Sequence, residues 1–152
     1  MRLSLVAVGF AACATAPAAP GGDQLSQDVR VETVTLDLSA DGHGTVGFLL
    51  DVASRPGESC TVTRIEWKLM LAQREFAAGV TAASVLVPGG QRARVKVEEP
   101  IAFGSMGYDP RARTVPVVLR GEVVTQFSGG EEKQRFGFRT RVAVRGAPIY
   151  ER

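Results

Sequence analysis

The sequence predicts an all-β domain: an antiparallel β-sandwich of about seven strands, immunoglobulin- or fibronectin III-like in arrangement. Three observations predict it. From Asp28 onward, apolar residues recur with a period of two rather than 3.6. The apolar runs are rich in Val, Thr, Phe and Leu, and Gly, Pro, Asp or Ser interrupts them at short intervals. No long helical pattern lies between them.

The first strand is expected over about Val29 to Leu38, ending at the Asp41-Gly42 turn. The second, Thr45 to Val52, sets Val46, Phe48, Leu50 and Val52 on one face, and Arg55-Pro56-Gly57-Glu58 breaks it. In the third, Ile65, Trp67, Leu69 and Leu71 alternate with Glu66, Lys68 and Met70, which makes Trp67 a core anchor. A short piece over Glu75 to Val80 places Phe76, Ala78 and Val80 in register. Val85 and Val87 then lead separately into the Pro88-Gly89-Gly90 turn. Ala93, Val95 and Val97 alternate with Arg92, Arg94, Lys96 and Glu98 until Pro100 stops the strand. Ile101 to Arg113 reads as a loop. Val115 to Phe127 is a long strand, and Ser128-Gly129-Gly130-Glu131 turns it into Gln134 to Val144.

Ahead of this domain stands a leader. Met1-Arg2 precedes an uncharged run from Leu3 to Ala12, a secretory signal pattern too short to span a bilayer as a helix. It ends Phe10-Ala11-Ala12-Cys13, which resembles the lipobox of bacterial lipoproteins, where small residues precede a cysteine that is diacylated and becomes the new N-terminus. Phe10 stands where an aliphatic residue is usual. Ala14 to Gly22, rich in Ala, Pro and Gly, then reads as a flexible tether. The expected organisation is a signal peptide over 1–12, lipidated Cys13 and tether over 13–27, the β-sandwich over 28–147 and a short tail over 148–152. Ala14 lacks the Asp that retains lipoproteins in the inner membrane of enteric-type bacteria. The expected location is therefore the bacterial envelope, lipid-anchored to the outer membrane and facing the periplasm.

The order of elements resembles the group 2 late-embryogenesis-abundant (LEA type 2) family, also called the water-stress and hypersensitive-response (WHy) domain. Gly47-Phe48-Leu49-Leu50-Asp51-Val52-Ala53-Ser54-Arg55-Pro56 is similar to a family strand that runs into an Asn-Pro turn, with Ser54-Arg55 in place of the Asn. Val62 to Leu71, followed by Phe76-Ala77-Ala78-Gly79, resembles the family's long strand, tight turn and small-residue-plus-Gly step. Val87-Pro88-Gly89-Gly90 with Arg92 to Val97 is similar to its Pro-Gly turn and strand of alternating valines. Val117-Val118-Leu119-Arg120-Gly121-Glu122-Val123 resembles the penultimate strand with its internal glycine, with Val118 where an aromatic is common. The likeness spans about residues 28–146. It implies a non-enzymatic domain associated with desiccation or stress protection, and supplies no ligand set.

The residues themselves agree with that implication. The chain has 152 residues and a formal net charge of +2, of which Arg2 contributes one. So small an excess argues against a nucleic-acid partner. No phosphate loop, nucleophile elbow or His-Glu metal motif occurs, so no catalytic residue, metal, cofactor or small-molecule substrate is assigned. Glu98-Glu99 and Glu131-Glu132 are adjacent pairs, which a strand sends to opposite faces and a turn leaves simply solvated. The single histidine, His43, sits in a turn-like Asp-Gly-His-Gly. With Cys13 taken by lipid, Cys60 is left as an unpaired thiol, expected in the core.

One surface feature stands out. Arg135, Arg139, Arg141 and Arg145 share a face of the last strand, and Arg92, Arg94 and Lys96 share one of an earlier strand. If the two strands lie in one sheet they form a basic surface for anionic lipid or an acidic partner; otherwise Glu66, Glu98 and Glu122 neutralise them. Two functional expectations follow: a lipid-anchored stress-protection domain, or an interaction module of an envelope complex. An exposed apolar patch or an uncovered sheet edge favours docking, and a uniformly polar surface favours protection.

Overall fold

A computed structural model describes residues 28–39, 42–102 and 114–145. They form seven strands: β1 (Val29–Leu38), β2 (His43–Ala53), β3 (Cys60–Leu71), β4 (Arg74–Val87), β5 (Arg92–Ala102), β6 (Thr114–Phe127) and β7 (Gly130–Arg145). The leader with Cys13, the tether and the C-terminal tail lie outside the described residues, as do 103–113 of the expected loop.

The strands pair in the order β4-β3-β6-β7-β1-β2-β5. They make a four-stranded layer, β4-β3-β6-β7, and a three-stranded layer, β1-β2-β5, antiparallel throughout. Only the end of β7 joins the layers, through the parallel pairs Leu36↔Val144 and Asp37↔Arg145. The predicted sandwich is the fold observed.

The core is built from the alternating faces. Val46, Phe48, Leu50 and Val52 of β2 are buried, as are Ile65, Trp67, Leu69 and Leu71 of β3. One row across the four-stranded layer organises the centre. Gly79 of β4 stands opposite Trp67 of β3, Trp67 opposite Gly121 of β6, and Gly121 opposite Phe136 of β7. Two large rings thus lean over two bare backbones. Phe48 of the other layer meets Trp67 edge-on at a centroid distance of 5.8 Å and Phe136 at 6.3 Å.

Three expectations need correction. The pieces Glu75 to Val80 and Val85 to Val87 are one continuous strand, β4, because Thr81 and Ala82 pair with Ile65 and Arg64. Ala78 and Val80 do not share the face of Phe76. A register shift opposite Leu69/Met70 makes Phe76 an extra inward residue, so that Ala77 and Gly79 turn inward and Ala78 and Val80 outward. Pro100 does not end its strand: β5 runs to Ala102 with Pro100 opposite Thr45. β5 is an edge strand, where a residue without an N–H is tolerated.

Candidate functional site

The seven basic residues singled out by sequence do not gather into one surface. β5 lies at the far edge of the three-stranded layer and β7 belongs to the four-stranded one. The β5 stripe is neutralised locally: Arg92 meets Asp51 at 2.6 Å, Arg94 meets Glu32 at 3.1 Å, and Lys96 meets Glu98 at 2.7 Å. The Lys96 ammonium holds the Glu98 carboxyl below its usual range.

The outer face of the four-stranded layer is different. An open trough of about 1190 Å³ runs over it, bordered by Ala78 and Val80 of β4, Lys68 of β3, Arg120 of β6 and Arg139 of β7. Towards the Ser128-Gly129 turn the face is an interlocked charge lattice. Arg64 reaches Glu66 at 2.9 Å and Glu131 at 4.0 Å, while Lys133 and Arg135 share Glu122 at 3.5 and 3.2 Å. Val124, which sits between Arg64 and Lys133 in register, is 0 % exposed although it points outward. The aliphatic stems of such long side chains supply cover of this kind.

Towards the other end of β6 and β7 the balance changes. Lys68 stands directly opposite Arg120, and its ammonium is held 3.2 Å from Glu75. Arg139 is opposite Val118, and Arg141 is opposite Pro116. Glu66, Glu75, Glu122 and Glu131 are engaged as described. Among the described residues Arg120, Arg139 and Arg141, all exposed, have no carboxylate within ion-pair distance. Arg120 was not among the basic residues the sequence singled out. Only the pairing of β6 with β7 brings it beside Arg139. Arg145 enters through its backbone pair with Asp37.

The β4 edge bounds the trough. β4 closes the order of strands, so its outer edge has no ladder partner among the described residues. No charge occurs from Phe76 to Val87, and the outward side chains include Val80, 65 % exposed, and Leu86, 63 % exposed. Natural edge strands are usually guarded by charge, proline or brevity. The edge is still tied inward: Trp67 Nε1 donates to Thr81 Oγ1 (3.3 Å), and the Thr81 hydroxyl donates to Glu99 Oε1 on β5 (2.8 Å). Glu99 thus faces the sandwich seam while Glu98 faces solvent, so this adjacent pair is split.

Three turns meet at the other pole. The carbonyl of Arg55 accepts from Gly90 N (2.8 Å) and Glu58 N (3.2 Å), and Ser54 Oγ donates to the Pro88 carbonyl. Ser54-Arg55 therefore locks one turn onto the next. The Arg55 guanidinium bonds Glu132 at 2.6 Å and lies 4.6 Å over the Phe127 ring, and Glu132 pushes its pKa upward. Ser128 Oγ donates to Glu58 (2.8 Å). Cys60 is buried beside this cluster; burial first, then Glu58, pushes its thiol pKa up, with Arg55 opposing. Such a thiol is a poor nucleophile.

No family model matches the chain, and no curated protein sequence does. Solved structures do. An Arabidopsis thaliana protein, AT1g01470, aligns with a TM-score of 0.63 at 12% identity, covering 88% of this chain and 93% of that one. A candidate late embryogenesis abundant protein, At2g46140.1, gives 0.59 at 14% identity, covering 77% and 70%. A protein from Archaeoglobus fulgidus gives 0.55 at 10% identity, covering 77% and 95%. At such identities the likeness is one of architecture: this chain has the β-sandwich fold of a candidate LEA protein.

Proposed function

We propose that the chain is a non-enzymatic, LEA type 2-like domain, held at a bacterial envelope by lipid on Cys13, that works by docking onto an envelope protein. The observation that carries the docking reading is the β4 edge. It is long, carries no charge from Phe76 to Val87 and has no ladder partner among the described residues, and two large apolar side chains stand exposed on it. An added strand would satisfy its free backbone groups, the usual route of β-augmentation. The lipobox-like Phe10-Ala11-Ala12-Cys13 supports the anchor, and the family-like order of motifs supports the domain assignment.

A photo-crosslinking residue at Ala82, outward on β4, tests this in the living cell. The expected result is one discrete adduct that disappears when Val80→Lys and Leu86→Lys are added, and that a probe at Lys96 on β5 does not form. No adduct from Ala82, or the same adducts from Lys96, would overturn the docking reading.

Desiccation protection is the second reading, favoured by the shared fold with a candidate LEA protein. Drying a labile enzyme with and without this protein decides it. Protection beyond that of an inert protein at equal mass is the expected result, and no excess protection counts against a stress role.

A further inference from the structure

We infer that the cationic end of the four-stranded layer, Lys68, Arg120, Arg139 and Arg141, is a docking face for anionic phospholipid head groups.

The charge is placed, not scattered. At one end of the outer face every cation is interlocked with a carboxylate, and Val124 is sealed beneath them. At the other end Lys68 and Arg120 are set directly opposite each other, an arrangement that costs stability in a sheet. Glu75 relieves Lys68, and Arg120, Arg139 and Arg141 are left without a carboxylate among the described residues. Phosphate complements this pattern. Guanidinium groups bind its oxygens in a planar, two-pronged geometry and are only weakly hydrated.

The same face carries exposed apolar groups. Half-buried Val118 and Met70 lie among the arginines, Val80 stands one outward row away opposite Glu66, and Leu86 lies at the charge-lattice end opposite Thr61. Cations beside apolar side chains on one surface suit the boundary between head groups and acyl chains. An acidic peptide would pair with the arginines and leave Val118 and Met70, which lie among them, uncovered.

The geometry allows the face to reach a membrane. β1 starts at the pole of the three turns, where the Asp28 carbonyl accepts from Ala53 N (2.7 Å). If lipid sits on Cys13, residues 14–27 span at most about 45–50 Å when extended. That matches the length of β6, about 45 Å at strand rise, so the sheet can lie flat against the bilayer that holds the anchor. Each arginine near an anionic surface contributes only modestly, and a tether multiplies such weak contacts by raising their effective concentration. The reach argument rests on the lipid-anchor reading. The face itself does not, and the test separates the two.

The experiment uses the full chain carrying Cys13→Ala, so that no acyl chain contributes, sedimented with vesicles of phosphatidylcholine alone or with added phosphatidylglycerol. Binding is expected to the anionic vesicles only and to fall as salt rises. Arg120→Gln, Arg139→Gln and Arg141→Gln together should weaken it roughly 100-fold. The equivalent lysine variants should retain it. Removing the same charge from the opposite layer, with Arg92→Gln, Arg94→Gln and Lys96→Gln, should change it less than about threefold, because those cations already have partners. Equal loss from both triple variants would overturn the assignment to this face. So would equal binding to neutral vesicles, or binding of polyglutamate or inorganic phosphate without vesicle binding.

Discussion

The indole of Trp67 occupies the space that a side chain at Gly79 would need: a Cβ there would lie 2.6 Å from Cζ2 and 2.8 Å from Cε2. The ring is 3 % exposed and holds Phe48 of the facing layer edge-on, so it has nowhere to retreat. Gly79→Ala should therefore destabilise the domain by about 1–3 kcal/mol, the usual cost of overpacking. Gly121→Ala should cost at least as much, since its Cβ would collide with the Glu66 carbonyl and come 2.5 Å from Phe136 Cζ. Gly129→Ala, with nothing within 4 Å, should fall within about 0.5 kcal/mol of wild type. Urea denaturation of the three variants checks the ranking.

The turn between β3 and β4 offers the opposite experiment. Ala72 and Gln73 both have positive φ, 46° and 66°, as a type I′ hairpin turn demands, yet neither is a residue that favours it. Ala72→Asn with Gln73→Gly should raise stability by about 1 kcal/mol or more. An unchanged urea midpoint would contradict this reading of the turn.

Cys60 gives a pH signature. Burial raises its thiol pKa, so the folded state keeps a proton that the unfolded chain releases. This contribution to stability is full below the unfolded thiol pKa of about 8.5 and is lost as pH rises through the folded value. Cys60→Ala should lower stability at neutral pH through the cavity it leaves, but should flatten the decline that sets in as pH rises past the unfolded thiol range. Parallel declines for wild type and variant would show that the thiol plays no part.

Gln134 faces the layer's interior opposite Val123, and its Oε1 is buried without a hydrogen-bond partner among the described residues. Unpaired buried acceptors cost about 1–3 kcal/mol, so Gln134→Leu should stabilise the domain by about 1 kcal/mol. A thermal melt lowered by this substitution would mean that the amide is held by a contact worth keeping.

Much of this architecture is written in the alternation of residues. Val46 to Val52 and Ile65 to Leu71 carry their inward faces openly, and the Pro88-Gly89-Gly90 and Ser128-Gly129 turns announce themselves. The missed features share a physical cause. A bulge leaves no local mark, so the flip at Phe76 that exposes Val80 could be read only from the packing of Trp67 against Gly79. The Ala72-Gln73 turn carries no glycine to signal it. The candidate site depends on strand order, which alternation does not encode. Seven basic residues were visible along the chain, but only the pairing of β3, β6 and β7 separates neutralised Arg135 from Arg139, which has no ion pair among the described residues, and brings in Arg120 and Lys68.

Lipid on Cys13 is what would make an uncharged β4 edge and a thinly charged sheet face useful, because both offer weak contacts that need a high local concentration. Metabolic palmitate labelling of the wild-type chain and of Cys13→Ala in a bacterial host tests it directly. Label on the wild type and none on the variant is the predicted result. Equal labelling of the two, or labelling of neither, would contradict it.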